Sequence, residues 1–421
     1  MTIGEVPIFY FLRRRAMTSR KLNSIIDDDK KYLFQNYGDR LPVCFVRGEG
    51  AYLYDQDDAR YIDFFSGIAV TSLGHGFPAF SRRLHAQLDR IIHTSNWFYN
   101  REQAAAARLV SGLAFKGRTL FVNSGTEANE AAIKLARKWG QETAPEKFEI
   151  ISFEGSFHGR TFGGMAATAQ EKIRKGFGPM LPGFRYLPFN DVGALEKELA
   201  GNPRVCAVIT ELIQGEGGIR IASRDFAQSI VSLCTKHGAL SIIDEVQTGV
   251  GRTGTPFVYQ QFGIKPSAIT LAKGLGGGIP VGALHARDEL MRLFEKGSHG
   301  TTFGGNHFAC AAVEAVMKEL MKPALLKKVA EQGKYIMKRV NALKSRIPAI
   351  REVRGLGLHI GIELSMPGAD IAKKALERGL IINCTADRVI RIMPPLTITR
   401  KAIDEGLAIF EKLLAQECAR P

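Results

Sequence analysis

The 421-residue sequence predicts an α/β fold: a large domain built on a mostly parallel, helix-covered sheet, with a smaller α+β domain beside it. From about residue 117, short apolar runs alternate with amphipathic helical stretches, the pattern of strands buried on both faces of a sheet. Several of these runs stop at a polar residue, at Asn123, Glu211, Asp244 and Lys273. From about Phe308 the texture changes to long helices followed by shorter strands. A chain of this length also exceeds what one core usually supports, so two domains are expected.

Taken in order, Ile8 to Leu12 form an apolar run too short for a signal segment, and the arginines Arg13, Arg14 and Arg15 follow it instead of preceding it. Met17 could be the true start, which would make residues 1–16 an extension. Residues 44–47 and 51–54 read as a hairpin across Gly48-Glu49-Gly50. Strands are expected at 119–123, 149–153, 205–211, 239–244 and 268–272, and helices at 127–139, 192–199 and 225–237. The last part reads as a helical stretch from 308 to 344 broken near Pro323, then strands at 350–353, 358–364, 381–384 and 389–393. The expected division is a large domain over 73–307 and a small domain assembled from 1–72 and 308–421.

Composition narrows the function class. The chain is 45% apolar and 24% charged, as an ordinary globular enzyme is. Its net charge of +15 comes from lysines and arginines scattered along the whole length, which suits a field for anionic cofactor and substrates and argues against nucleic acid. The six cysteines form no CxxC pair and read as free thiols in a reducing, cytoplasmic compartment. No apolar run approaches a membrane span. The nine histidines show no metal-ligand spacing, and neither a Walker A sequence nor a GxGxxG helix entry is present.

The chemistry centres on Lys273. It ends an apolar strand and is followed by Gly274-Leu275-Gly276-Gly277-Gly278. Poor hydration there lowers an ammonium pKa and frees the amine to attack a carbonyl. Asp244 is a second charge at the tip of an apolar strand. Together they suit a pyridoxal 5'-phosphate site, where the lysine binds the aldehyde and the carboxylate keeps the ring nitrogen protonated. A turn or helix-cap aspartate is the plainer reading of Asp244 alone.

Other segments are ambiguous by themselves. Ser124 and Glu127 have capping-box spacing, and with Gly125 and Thr126 they make a helix start that could bind phosphate or simply be capped. Phe157 could stack on a flat ring or be core. Arg160 could grip a carboxylate or sit in a surface ion pair. Val246 could pack under the ring or in the core, and Gln247 could touch the cofactor or water. Arg391 lies inside an apolar strand, so a carboxylate partner or a carboxylate substrate is expected, and position alone does not separate a structural ion pair from a substrate clamp.

Several runs carry a family resemblance: 46–50, 66–75, His93-Thr94-Ser95-Asn96-Trp97-Phe98-Tyr99, 123–134, 244–254, 271–278 and 299–306. Together, from about residue 36 to the C-terminus, they resemble the class III (subgroup II) pyridoxal-phosphate aminotransferases of fold type I. Within that family the likeness is nearest to the acetylornithine aminotransferases of arginine biosynthesis. The resemblance implies a seven-stranded, mostly parallel large-domain sheet and a homodimer with shared active sites. It implies that N-acetylornithine gives its terminal amine to 2-oxoglutarate, forming glutamate.

By the same resemblance, Lys273 is the Schiff-base lysine and Asp244 the partner of the ring nitrogen. Ser124, Gly125 and Thr126 hold the phosphate with Thr302 of the second subunit. Phe157 and Val246 flank the ring and Gln247 meets its phenolic oxygen. Arg160 takes the remote carboxylate, Tyr37 lines the pocket, and Glu216 releases Arg391 when a dicarboxylate binds. Ile68 stands where ornithine aminotransferases tend to have tyrosine, so an acetylated or absent α-amine is favoured, as in N-acetylornithine or 4-aminobutyrate. Ornithine and N-succinyl-diaminopimelate are further candidate donors. Leu212 and His307 stand where the family commonly has proline, and both are expected to shift their loops.

Overall fold

The computed structural model describes residues 20–418. Arg13 to Arg15, Met17 and the proposed 1–16 extension lie outside the described residues. A helix at Arg20–Tyr32 leads into an antiparallel meander of β1 (Phe45–Glu49), β2 (Tyr52–Asp55) and β3 (Arg60–Asp63), which contains the expected hairpin.

The central sheet uses β4 (Gly117–Val122), β5 (Glu149–Phe153), β6 (Phe184–Leu187) and β7 (Val205–Thr210). After a two-stranded ribbon of β8 (Ile213–Gln214) and β9 (Arg220–Ile221), it is completed by β10 (Leu240–Asp244), β11 (Ala268–Leu271) and β12 (Gly282–Arg287). The seven strands lie in the order β4-β12-β11-β10-β7-β5-β6. Only β12 runs against its neighbours; the pairs from β11 to β6 are parallel. The carboxyl ends of β4, β7, β10 and β11 therefore share one edge. Asn123, Glu211, Asp244 and Lys273 collect there, as the polar strand ends predicted.

Two strands of this sheet were not expected from sequence. β6 is four half-exposed residues between prolines, and β12 follows the glycine run and reads as loop. The helix after β4 spans Gly125–Gln141, with the Ser124 hydroxyl accepting from Glu127 N–H at 3.3 Å. The reciprocal half of the expected capping box is displaced by one residue. The Glu127 carboxylate accepts from the backbone N–H of Asn123 at 2.6 Å and from its side-chain amide at 2.9 Å.

The C-terminal part breaks at proline as expected: the helix His307–Leu320 is followed by one that opens at Pro323 (Pro323–Asn341). β13 (Ile350–Leu356) and β14 (His359–Leu364) begin a second sheet. The single strand expected at 381–384 is split. β15 (Leu380–Ile381) pairs with β3 in the N-terminal sheet, while β16 (Asn383–Thr385) pairs with β17 (Val389–Ile392) beside β14. One segment thereby stitches the two ends of the chain into one body.

All six cysteines are free, and Cys206, Cys234 and Cys310 are buried thiols whose pKa burial pushes up to about 12. Among the described residues no helix is long and apolar enough to cross a membrane.

The closing helix, Arg400–Cys418, buries a stripe of Ala402, Ile403, Gly406, Leu407, Phe410, Leu413 and Leu414. Gly406 lies against the fully buried Phe64: a Cβ there would stand 2.3 Å from the ring tip. Alanine favours a helix over glycine by about 1 kcal/mol, but overpacking a rigid ring costs about 1–3 kcal/mol, so the clash wins. Gly406→Ala is expected to lower the urea midpoint of the folded protein. An unchanged or raised midpoint would show that the Phe64 contact yields freely.

Candidate active site

A cavity of about 430 Å³ opens at the carboxyl edge of the central sheet. It is lined by ten of the residues singled out from sequence: Ser124, Gly125, Thr126, Phe157, Arg160, Glu216, Asp244, Val246, Gln247 and Lys273. That size suits one small cofactor with its substrate.

Asp244 closes strand β10 at the cavity floor with 3% of its surface exposed. Its Oδ2 accepts from the Asn129 amide at 2.8 Å and faces His158 Nδ1 at 2.8 Å, while Oδ1 accepts from Val246 N–H at 3.0 Å. Burial opposes the charge, but the His158 hydrogen bond and charge, with the Val246 and Asn129 donors, outweigh it and hold the carboxyl below its ordinary range. Lys273 stands one residue beyond Ala272, in a turn where its own φ is +45°. Burial lowers its amine pKa against the pull of Glu216, Asp244 and Glu211.

The mouth of the helix at Gly125 is crowded in a way that admits backbone approach. A Cβ on Gly125 would come within 2.7 Å of Val246, and one on Gly159 within 2.1 Å of the Thr126 hydroxyl. That hydroxyl is 2.8 Å from Thr161 Oγ1. A helix start with glycine and hydroxyl residues turned into a cavity presents N–H donors to an anion. Gln247 is fixed by His359, whose Nε2 donates to Gln247 Oε1 at 2.9 Å. Burial, with Arg252, Arg391 and Lys273 nearby, keeps that imidazole well below its ordinary pKa and neutral.

The opposite wall carries a half-buried ion pair. Arg391 Nη1 meets Glu216 Oε1 at 2.6 Å and Gly215 O at 3.2 Å, and its Nε donates to Asn383 Oδ1 at 2.6 Å. Burial raises the Glu216 carboxyl, yet Arg391 overcomes this and the net shift is downward. Arg391 reaches the cavity only through Glu216. Arg160 is exposed at the rim, its guanidinium 5.8 Å from the Phe157 ring centre.

Three residues named from sequence are not brought to the cavity by this single chain. Tyr37 is 77% exposed, Ile68 is 40% exposed, and Thr302 is exposed on its loop. Residues 66 to 69 all have positive φ, a left-handed run that turns Ile68 outward while the following Val70 lines the cavity. Sequence reasoning missed the supporting shell of Asn129, His158, His359 and Asn383. Glu211, which joins that shell, was flagged from sequence as a polar strand end.

The arrangement could hold a flat, anionic ring. The helix start would meet the phosphate, Asp244 is an ionised carboxylate on the floor, and Lys273 is an amine of lowered pKa beside it. Buried polar atoms without protein partners, His158 Nε2 and Asn129 Oδ1, remain around the floor.

Comparison with known proteins gives a consistent placement. The family model for class-III aminotransferases matches residues 33–414. The acetylornithine aminotransferase of Caldanaerobacter subterraneus subsp. tengcongensis is 45% identical over 394 residues, covering 93% of this chain and 99% of the relative. That of Aquifex aeolicus is 47% identical over 384 residues, covering 91% and 100%. Among solved structures, the ornithine aminotransferase of Toxoplasma gondii, described with partial occupancy of PLP at its active site, superposes with a TM-score of 0.89 at 30% identity, covering 98% of each chain.

Beside Asp244, Glu245 points into the core with no exposed surface, accepting from Tyr259 N–H at 2.9 Å and the Thr248 hydroxyl at 2.7 Å. Burial pushes its carboxyl from 4.5 up to about 7. Glu211 is likewise raised to about 7, by burial first and by the charge of Asp244. A raised carboxyl means that the folded state keeps a proton the unfolded chain releases. Stability is therefore lost as pH climbs from 4.5 through about 7 and levels off above. At about 1.4 kcal/mol per pKa unit, a rise from 4.5 to about 7 removes roughly 3–4 kcal/mol per group across that window. Glu245→Gln is expected to flatten this decline, matching wild type near the acid end and exceeding it at alkaline pH in urea titrations. A parallel pH profile in the variant would show that Glu245 titrates normally.

Proposed function

The chain belongs to the class-III aminotransferases, and from that membership we propose that it moves the terminal amine of N-acetylornithine to 2-oxoglutarate, releasing N-acetylglutamate 5-semialdehyde and glutamate in arginine biosynthesis. The observation that carries the reading is one cavity holding the Lys273 amine, the Asp244 carboxylate and the Glu216 face of the Arg391 ion pair.

Pyridoxal phosphate is the cofactor this site suits; when bound it supplies a ring that accepts electrons from the substrate carbon. Ser124, Gly125 and Thr126 would hold its phosphate, Phe157 and Val246 its faces, Gln247 its phenolic oxygen and Asp244 its ring nitrogen. Asp244, kept ionised despite burial, holds a proton on that nitrogen. Lys273, with its lowered pKa, can shed a proton to attack a carbonyl and then carry a proton to and from the substrate carbon. Arg160 at the rim binds the carboxylate remote from the reacting amine. Glu216 neutralises Arg391 while the amine donor is bound and releases it for the second carboxylate of the oxo acid. Ile68 offers no hydrogen bond to an α-amine, which supports a donor whose α-amine is acetylated. It suits 4-aminobutyrate equally, and that donor is the second reading.

We also propose a cytoplasmic homodimer in which Thr302 completes the phosphate site of the second subunit. Trp97, Phe98, Tyr99 and Phe303 are 93%, 67%, 107% and 61% exposed, an aromatic patch beside Thr302 that favours burial against another chain. The domain division at 73–307, with 1–72 and 308–421 forming the small domain, is supported by the pairing of β15 with β3.

Mixing the cofactor-loaded enzyme with each donor, and following the bound-cofactor absorbance and the glutamate formed, tests the substrate. N-acetylornithine is expected to react fastest; faster reaction with ornithine or 4-aminobutyrate would replace the donor and keep the class. Lys273→Ala is expected to lose about 10²–10⁴-fold in turnover, and near-normal turnover would remove Lys273 from the chemistry. Losing the charge-assisted bond in Glu216→Gln is expected to lower kcat/KM for N-acetylornithine about 10–100-fold while sparing glutamate. Equal losses for both would dismiss the switch.

A further inference from the structure

Glu211 lies just beyond β7, 7% exposed, and its two carboxyl oxygens go to different loops. Oε2 accepts from the N–H of Phe157 at 2.9 Å, and Oε1 accepts from the N–H of Gly215 at 3.0 Å. The first loop carries Phe157, His158 and Arg160; the second carries Glu216. Gly215 passes the connection on, because its carbonyl accepts from Arg391 Nη1 at 3.2 Å. It leaves no room for a side chain, since a Cβ there would stand 2.0 Å from Gln247 Oε1. A chain of contacts thus runs from Phe157 through Glu211 and Gly215 to Arg391.

We propose that Glu211 is a positioning residue that braces the two walls of the site and keeps the Arg391 guanidinium in place when Glu216 releases it for a dicarboxylate substrate. The proposal rests on the transamination reading above. Once Glu216 leaves, Arg391 retains Asn383 and the Gly215 carbonyl. The carbonyl is held where it is by the Glu211 bond to the same residue. The two carboxyl oxygens accept from the two loops at once. In glutamine one oxygen becomes an amide donor and must face an N–H, so one loop is let go.

Glu211→Gln, prepared with cofactor bound, is compared with wild type in each half-reaction and by backbone hydrogen exchange with mass spectrometry. The KM for 2-oxoglutarate is expected to rise about tenfold, with the KM for N-acetylornithine changing less than about threefold. Exchange is expected to quicken at 157 or 215 and spread towards Arg391. Glu211→Asp, too short to span both loops, is expected to show the same split and serves if the glutamine variant does not fold. Equal rises in both KM values, or unchanged kinetics and exchange, overturn the brace. If wild type does not use 2-oxoglutarate, the transamination reading fails by itself, and exchange, which requires no substrate, still decides on the brace.

Discussion

An ionised carboxylate buried at the floor of a cavity is unfavourable unless hydrogen bonds replace the water it loses. Asp244 is that carboxylate, and the elements around it are arranged to tolerate it. Asn129 comes from the first turns of the helix after β4, His158 from the loop after β5, and the Val246 N–H from the turn after β10 itself. Three segments distant in sequence are bound to one side chain. Asn129 also donates to the His158 carbonyl at 2.8 Å, and the His158 N–H donates to the Thr168 hydroxyl at 2.8 Å, so the support is itself supported. The helix start at Gly125 and the loop bearing Phe157 are placed by the same bonds that keep Asp244 charged. Cofactor geometry and floor electrostatics are consequently one problem with one solution.

What the sequence made legible follows from which signals are local. An apolar run ending in a polar residue is a local signal, and by itself it assigns Asn123, Glu211, Asp244 and Lys273 to the correct edge of the sheet. Ten candidate residues share one cavity because they lie in the segments that follow those strands and β5. The supporting shell was hidden, since Asn129 and His158 draw no notice until Asp244 is beside them, 115 and 86 residues away. β12 was hidden because glycines precede it, and the split between β15 and β16 because its cause is the distant strand β3. Tyr37, Ile68 and Thr302 were named by family resemblance, which describes a whole assembly, and a single chain leaves them at its surface.

The two departures from the family's prolines have physical explanations. His307 occupies the first position of its helix, where proline is well suited. Here the imidazole faces Glu102 at 2.9 Å through Nδ1 and Thr94 at 3.0 Å through Nε2. It thereby ties the 93–99 segment to the helix that follows the Thr302 loop, a bond proline could not make. Leu212 is fully buried, and its carbonyl accepts from Ala222 N–H at 2.9 Å. The loop leading to Glu216 is thus anchored by an apolar side chain and a backbone bond instead of a fixed ring.

Arg391 shows why such a loop needs firm anchoring. A guanidinium with 2% exposure inside an apolar strand requires a negative partner at all times. Asn383 and the Gly215 carbonyl satisfy its donors without cancelling its charge. Glu216 cancels the charge, from a side chain that is still partly exposed. Replacing that carboxylate by a substrate carboxylate leaves the buried charge balance unaltered, so the exchange avoids the penalty of stranding an ion. A pocket built this way can accept substrates with and without a second carboxylate. The condition is that the guanidinium stays where it is while its partner changes, which places the burden on the neutral acceptors behind it.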